Sequence, residues 1–266
     1  MSYQSKVVWI TGASSGIGEA LAKQLHGEGA RIILSSRREE ALENVRNELT
    51  NRDNGPDARI LPLDLSDPDT LTEKAERALS IYGQIDYLFN NGGISQRSLA
   101  VETDMEVIRK IMEINFFGTV ALTKAVLPSM IERKSGHIVV TSSVMGKFGT
   151  RLRSSYAASK HALHGWFDCL RQELYEDNIK VTLVCPGYVK TRVTLNALEG
   201  DGSIHGQMGR GQEQGMVPKE FARKLLPKIE KGKEEIYLGG KEIMGVYLKR
   251  FVPGLLNKIL RNAEVT

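Results

Sequence analysis

The chain carries two kinds of hydrophobic pattern in alternation. Short runs that are apolar at nearly every position occur at residues 7–10, 32–34, 60–63, 85–89, 137–141, 181–184 and 235–238. Longer stretches at 17–28, 39–50, 69–82, 104–132, 155–177 and 218–231 place apolar residues three or four apart. An unbroken apolar run suits a strand covered on both faces, and the wider spacing suits a helix with one buried side. Strands alternating with helices predict an α/β fold: a parallel sheet of about seven strands with helices on both faces. No repeat, low-complexity tract or linker intervenes, so residues 1–266 are read as a single domain.

Two stretches break the rhythm. Residues 191–216 are rich in Gly, Gln, Ser and charge, with six glycines between 200 and 215. A long irregular segment inside a domain is commonly a lid over a site. Residues 241–266 mix Ile243, Val246, Leu248, Phe251, Leu255 and Ile259 with Lys249, Arg250, Lys258 and Arg261. That pattern fits a packed terminal helix or a subunit interface. It also fits a basic amphipathic segment that covers a lipophilic pocket or touches a membrane peripherally.

Composition adds exclusions. The formal charge is +4, and from Lys219 onward eleven Lys/Arg face six Asp/Glu, so the rest of the chain is nearly neutral. This does not suit nucleic-acid binding. Two cysteines, Cys169 and Cys185, make no disulfide framework. His161 and His164 lack a third ligand in the pattern, so no metal is expected. The polar residues 1–6 run straight into a strand, and no apolar run approaches the roughly 18 residues of a membrane span. The expectation is a cytoplasmic protein with reduced thiols.

The chemistry begins where the first strand ends, in Thr11-Gly12-Ala13-Ser14-Ser15-Gly16-Ile17-Gly18. Glycines there let the backbone approach a pyrophosphate, and the following helix offers free N–H groups and its positive dipole end. The segment resembles the TGxxxGIG motif of the short-chain dehydrogenase/reductase family, whose fold is a Rossmann-type doubly wound sheet. Further residues match in order: Asn90-Asn91-Gly92-Gly93, Asn115, Ser143, Tyr156 with Lys160, and Pro186-Gly187. The resemblance covers residues 5 to 240, and the tail with the segment Ser35-Ser36-Arg37-Arg38 is similar to the dehydrogenase/reductase member 7 branch. Gly92 departs from the family, which usually has alanine there.

The resemblance implies a nicotinamide dinucleotide held by Gly12, Ser14, Ser15, Gly16, Ile17, Gly18, Asp64, Leu65, Asn91, Gly92, Gly93, Pro186, Gly187, Val189 and Thr191, with Tyr156 and Lys160 at its nicotinamide end. Ser36 stands where an acid would bind the NAD ribose, and Arg37 follows. An arginine fork suits a 2′-phosphate, so the expected cofactor is NADP(H).

Tyr156 and Lys160 are four apart on a helix and share a face. A phenol gives up its proton poorly at neutral pH, and a neighbouring ammonium lowers its pKa toward the working range. The family implies Tyr156 as general acid/base, Lys160 as its modulator, Ser143 as the group positioning the substrate oxygen, and Asn115 as part of a proton relay. The expected activity is interconversion of a ketone or aldehyde with an alcohol on a small-molecule substrate. A homodimer or homotetramer built on the helices at 104–132 and 155–177 is also implied. A non-catalytic dinucleotide sensor of the same fold is the competing reading, and retention of both Tyr156 and Lys160 speaks against it.

Overall fold

In the computed structural model, which describes residues 3–50 and 57–263, seven parallel strands form one sheet in the order β3-β2-β1-β4-β5-β6-β7. The strands are β1 (Val7–Thr11), β2 (Arg31–Ser35), β3 (Ala58–Ile60), β4 (Tyr87–Asn90), β5 (Gly136–Thr141), β6 (Ile179–Pro186) and β7 (Glu235–Leu238). The chain first steps outward from β1 to β3, then returns to pair β4 against β1 and steps the other way. That reversal opens a crevice at the carboxyl ends of β1 and β4, the place where doubly wound sheets bind ligands.

Strand residues sort by parity, because successive side chains leave opposite faces of the sheet. Val8, Ile10, Ile32 and Leu34 pack with helices α1 (Gly16–Gly27), α2 (Glu39–Thr50) and α8 (Pro218–Glu230). Val7, Trp9, Ile33, Leu88 and Ile138 pack with α3 (Pro68–Tyr82), α5 (Gly118–Glu132) and α6 (Ser154–Glu173) on the other side. All five residues of β1 are buried, which is why the strand reads as continuously apolar. Buried polar atoms are paired along the way: Trp9 Nε1 donates to Ser35 Oγ at 2.8 Å, and Ser35 Oγ donates to Leu61 O at 2.6 Å.

Three elements depart from the sequence pattern. The third strand lies at Ala58–Ile60 rather than 60–63. Beyond it the amides of Leu61 and Leu63 still reach Leu34 O and Ser36 O, but as an irregular extension at the sheet edge. The helix expected over 104–132 is α4 (Met105–Met112) and α5 joined through a π-helical turn at Glu113–Phe117. By length and composition Met105–Glu132 is apolar enough to cross a membrane, contrary to the reading of the apolar runs. In this fold half of its most apolar window is buried, with Val126, Leu127 and Met130 in the sheet-facing core. Finally, the segment at 191–216 is folded across the crevice with a short helix α7 (Arg210–Glu213), tied by bridges from Leu198 to Gln96 and from Met216 to Val189.

The tail is two helices, α9 (Met244–Phe251) and α10 (Pro253–Asn262), turned about Val252. Val246 and Leu256 pack on Val144 and Phe148 next to the crevice. Met244, Tyr247, Phe251, Val252, Leu255 and Ile259 stay exposed.

Candidate active site

A cleft of about 1070 Å³ runs along the carboxyl ends of the central strands. Its wall includes the predicted Gly12, Ser14, Ser15, Gly16, Ile17, Arg37, Asp64, Leu65, Asn91, Gly92, Gly93, Ser143, Tyr156, Lys160, Pro186, Gly187, Val189 and Thr191. Gly18 and Asn115 are not on that wall.

The glycine loop turns sharply because Gly12 and Gly16 adopt φ of +65° and +61°, where other residues are strained. Gly18 serves packing instead: a Cβ there would stand 2.3 Å from Gly12 O. Thr11 Oγ1 holds the neighbouring loop by accepting from the amides of Asn91 (3.0 Å) and Gly92 (2.9 Å). Asn91 Nδ2 donates back to Thr11 O at 3.2 Å. At Gly92, the departure from the family pattern, an added Cβ would lie 2.7 Å from Leu65 Cδ1, a side-chain end that must shift to admit it. The backbone cradle at 12–18 and the volume of the cleft suit a dinucleotide.

At the end of β2, Ser36, Arg37 and Arg38 all line the cleft. Arg38 points its Nη2 to Ser14 Oγ at 3.5 Å. Two arginines therefore stand at this end of the cleft, Arg38 against the glycine loop.

Ser143 follows β5, lines the cleft and accepts a hydrogen bond from the Met145 amide at 3.1 Å, which leaves its own hydroxyl hydrogen to donate to the Tyr156 phenol. Ser142 points the other way, with its Oγ 3.0 Å from His164 Nε2. Tyr156 and Lys160 stand on α6 opposite. Lys160 Nζ is 5.7 Å from the centre of the Tyr156 ring and donates to Thr141 O at 2.9 Å. Burial lowers the Lys160 ammonium to about 8. Burial also raises the Tyr156 phenol above its ordinary value, opposed by the Arg153 charge and by hydrogen bonding with Ser143. A cation that pulls the phenol back is thus Arg153. Its guanidinium carbon lies 5.9 Å from the ring centre.

Asn115 sits in the π-turn and is fully buried. Its Oδ1 accepts from Ile94 N (2.8 Å), and its Nδ2 donates to Ile94 O (2.9 Å) and Ser159 Oγ (3.0 Å). It clamps the loop beside Gly93, where an added Cβ would stand 3.0 Å from Asn115 Oδ1 and 3.6 Å from Lys160 Nζ.

Several cleft residues escaped the sequence reading. Arg97 and Arg153 line it from the loop after β4 and the start of α6. Glu242 receives the amides of Tyr188 (2.7 Å) and Gly240 (2.9 Å), binding the tail to the turn at 187–188. Met244, Leu248, Leu256 and Ile259, in the tail that the sequence reads as able to cover a lipophilic pocket, close one side of the cleft. His164, Cys185 and Glu235 also come within ligand distance of one another. Lys147 Nζ already pairs with Glu235 at 2.6 Å, so a cation is present there in side-chain form.

Fold and site together define a dinucleotide-binding α/β protein of the doubly wound class. The family profile described as short chain dehydrogenase matches residues 6–201, and the chain belongs to that family of oxidoreductases. Dehydrogenase/reductase SDR family member 7B of Mus musculus is 43% identical over 260 residues, covering 97% of this chain and 80% of its own. Two solved structures share the fold. A short chain dehydrogenase/reductase from Burkholderia phymatum in complex with NAD has a TM-score of 0.84 at 23% identity, over 96% of both chains. A short chain dehydrogenase from Burkholderia cenocepacia J2315 in complex with NADP has a TM-score of 0.80 at 24% identity, over 99% of this chain and 100% of its own.

Proposed function

We propose that this chain is an NADP(H)-dependent oxidoreductase that interconverts a ketone or aldehyde and an alcohol. The carrying observation is that the Ser143 hydroxyl, the Tyr156 phenol and the Lys160 ammonium share one cleft with the glycine loop and the Arg37–Arg38 pair. A bound nicotinamide dinucleotide supplies or takes up the hydride. Ser143 donates its hydroxyl hydrogen to the substrate oxygen and holds it beside Tyr156. The phenol, kept protonated at neutral pH by burial, gives its proton to that oxygen in reduction and recovers it in oxidation. Lys160, with a pKa near the working range, restores the phenol proton. Asn115 positions the loop at Ile94 and Gly93 against which the reacting groups are aligned.

The NADP preference rests on charge. No acid stands at Ser36, and two arginines flank the place for an adenosine 2′-phosphate. The two solved structures of similar fold hold NAD in one case and NADP in the other, so their likeness carries no preference. A panel of ketones, aldehydes and alcohols followed by NADPH absorbance, with NADH as control, tests both parts. Turnover with NADPH at least tenfold more efficient than with NADH is expected. A preference for NADH rejects the role of Arg37 and Arg38, and absence of any turnover rejects the reaction.

A further inference from the structure

Arg97 is buried, with 4% of its surface exposed, yet its Nε and Nη1 have no hydrogen-bond partner. Its position is not loose. The Arg97 amide donates to Leu198 O at 2.8 Å. Gln96, beside it, bonds Thr103 Oγ1 at 2.8 Å through its amide nitrogen, and its Oε1 accepts from the Ser155 amide at 2.8 Å. The loop after β4 is thereby welded to the start of α6, and the guanidinium is carried to a fixed place on the cleft wall.

A second cation lies close by. Arg153 is 7% exposed, donates from Nη1 to Ser95 Oγ, and lines the same cleft. It is presented by Leu152, whose φ of 63° is costly for a side chain that offers no compensating local hydrogen bond. Arg97 is lowered to about 10 by burial and by the Arg153 charge, Arg153 is lowered by burial, and both remain cationic at neutral pH.

Buried guanidinium donors without acceptors, and two like charges near one another, are both unfavourable. Of the acids around Arg97, which are Glu102, Glu199 and Asp201, the last two are committed elsewhere. The Glu199 carboxylate, which does favour the Arg97 charge, is held by His205 Nδ1, and Asp201 accepts from Ser203 Oγ at 2.6 Å. What the pair lacks is an acceptor with negative charge and more than one oxygen, since planar guanidinium forks bind carboxylate and phosphate groups in that way.

We propose that Arg97 and Arg153 form an anion subsite of the cleft, and that the substrate is a carbonyl compound or alcohol that also carries a carboxylate or phosphate group. The substrate class rests on the oxidoreductase reading above, because the subsite shares its cleft with Tyr156. Arg153, lying over the Tyr156 ring, couples the bound anion to the phenol. Arg97 is the specificity-determining residue.

Calorimetric titration of the NADP⁺-saturated protein with octanoate, octyl phosphate and octan-1-ol tests this. The cofactor occupies the other arginine site, at Arg37 and Arg38. Octanoate, octyl phosphate or both bind about tenfold or more tightly than the alcohol, and the advantage disappears in Arg97→Gln and returns in part in Arg97→Lys. The stronger of the two anions identifies the group as carboxylate or phosphate. Equal affinity for all three probes, binding by none of them, or an anion preference that survives Arg97→Gln overturns the proposal. If Arg97→Gln does not fold, equal affinity for the three probes in the unsubstituted protein still overturns the proposal, and partial loss of the anion advantage in Arg97→Lys still supports it. Turnover plays no part in the measurement, so a protein that reduced no ketone would refute the reaction and leave the anion subsite standing.

Discussion

Lys160 is tied to the sheet by a hydrogen bond from its Nζ to the main-chain oxygen of Thr141, 2.9 Å away, at the end of β5. The ammonium is thus held by the strand that also delivers Ser143, and burial brings it to about 8. Below that value Lys160 carries the proton that restores Tyr156, and above it the proton is lost. The kcat/KM for carbonyl reduction is expected to be flat below about pH 8 and to fall as pH rises beyond it. Lys160→Arg moves the break to higher pH. A profile that is level to pH 10 in the unsubstituted protein would remove Lys160 from the proton path.

Tyr156→Phe keeps the ring and deletes the acid. Turnover falls by a factor of about 100 or more, the range that general acid–base catalysis supplies. NADPH affinity measured by fluorescence titration stays within about threefold. Retained turnover means that another group protonates the substrate.

Removing the forked donors at the end of β2 separates the two cofactors. Charge-assisted hydrogen bonds are worth roughly 1.5–3 kcal/mol, so Arg37→Ala with Arg38→Ala raises the KM for NADPH by about tenfold to a hundredfold. The KM for NADH, which has no 2′-phosphate, changes by less than about threefold. Parallel losses for both cofactors would place the arginines outside phosphate recognition.

Gly18→Ala tests the glycine loop apart from its contact with ligand. The added Cβ meets Gly12 O and the Asn91 amide, at 2.3 and 2.7 Å. Overpacking of this kind costs about 1–3 kcal/mol. Thermal unfolding followed by circular dichroism should shift downward by several degrees, with weaker NADPH binding as a consequence of the displaced loop. An unchanged transition would show that the loop has room.

Acid destabilises the fold through a buried histidine. His137 on β5 is 2.8 Å from Thr182 Oγ1 on β6, and burial, helped by the Lys180 charge, lowers it to about 3. Between about pH 3 and the ordinary value of 6.5 the unfolded chain binds a proton that the folded chain does not. Stability from this group is therefore complete above 6.5 and is lost as pH falls, at about 1.4 kcal/mol per pH unit. His164, lowered to about 4 by burial, acts in the same direction. Urea titrations from pH 7 to pH 4 should show a shallower slope for His137→Gln. An identical slope would mean that His137 is protonated in the fold.

The sequence makes the sheet legible because strands buried on both faces leave unbroken apolar runs, as in β1, where every residue is buried. The phosphate loop is legible for a related reason: Gly12 and Gly16 have backbone angles that few other residues adopt. Less of the substrate end can be read. Arg97 and Arg153 look like ordinary surface charges in a linear pattern, and only the packing of the β4–α4 loop on α6 makes them buried and adjacent. The π-turn at Asn115 leaves no mark either, since its apolar spacing passes for uninterrupted helix.

The sequence by itself determined the alternation of strands and helices, the glycine loop, the Tyr156–Lys160 pair and the absence of an acid at Ser36, because each is a local property of spacing or residue type. Tertiary structure alone decided that Arg153 also faces the Tyr156 phenol and how α9 and α10 wall the cleft. It also decided that two arginines lie buried beside the reacting groups. The physical reason is that desolvation and charge proximity depend on distances between segments far apart in the chain, and no local pattern encodes them.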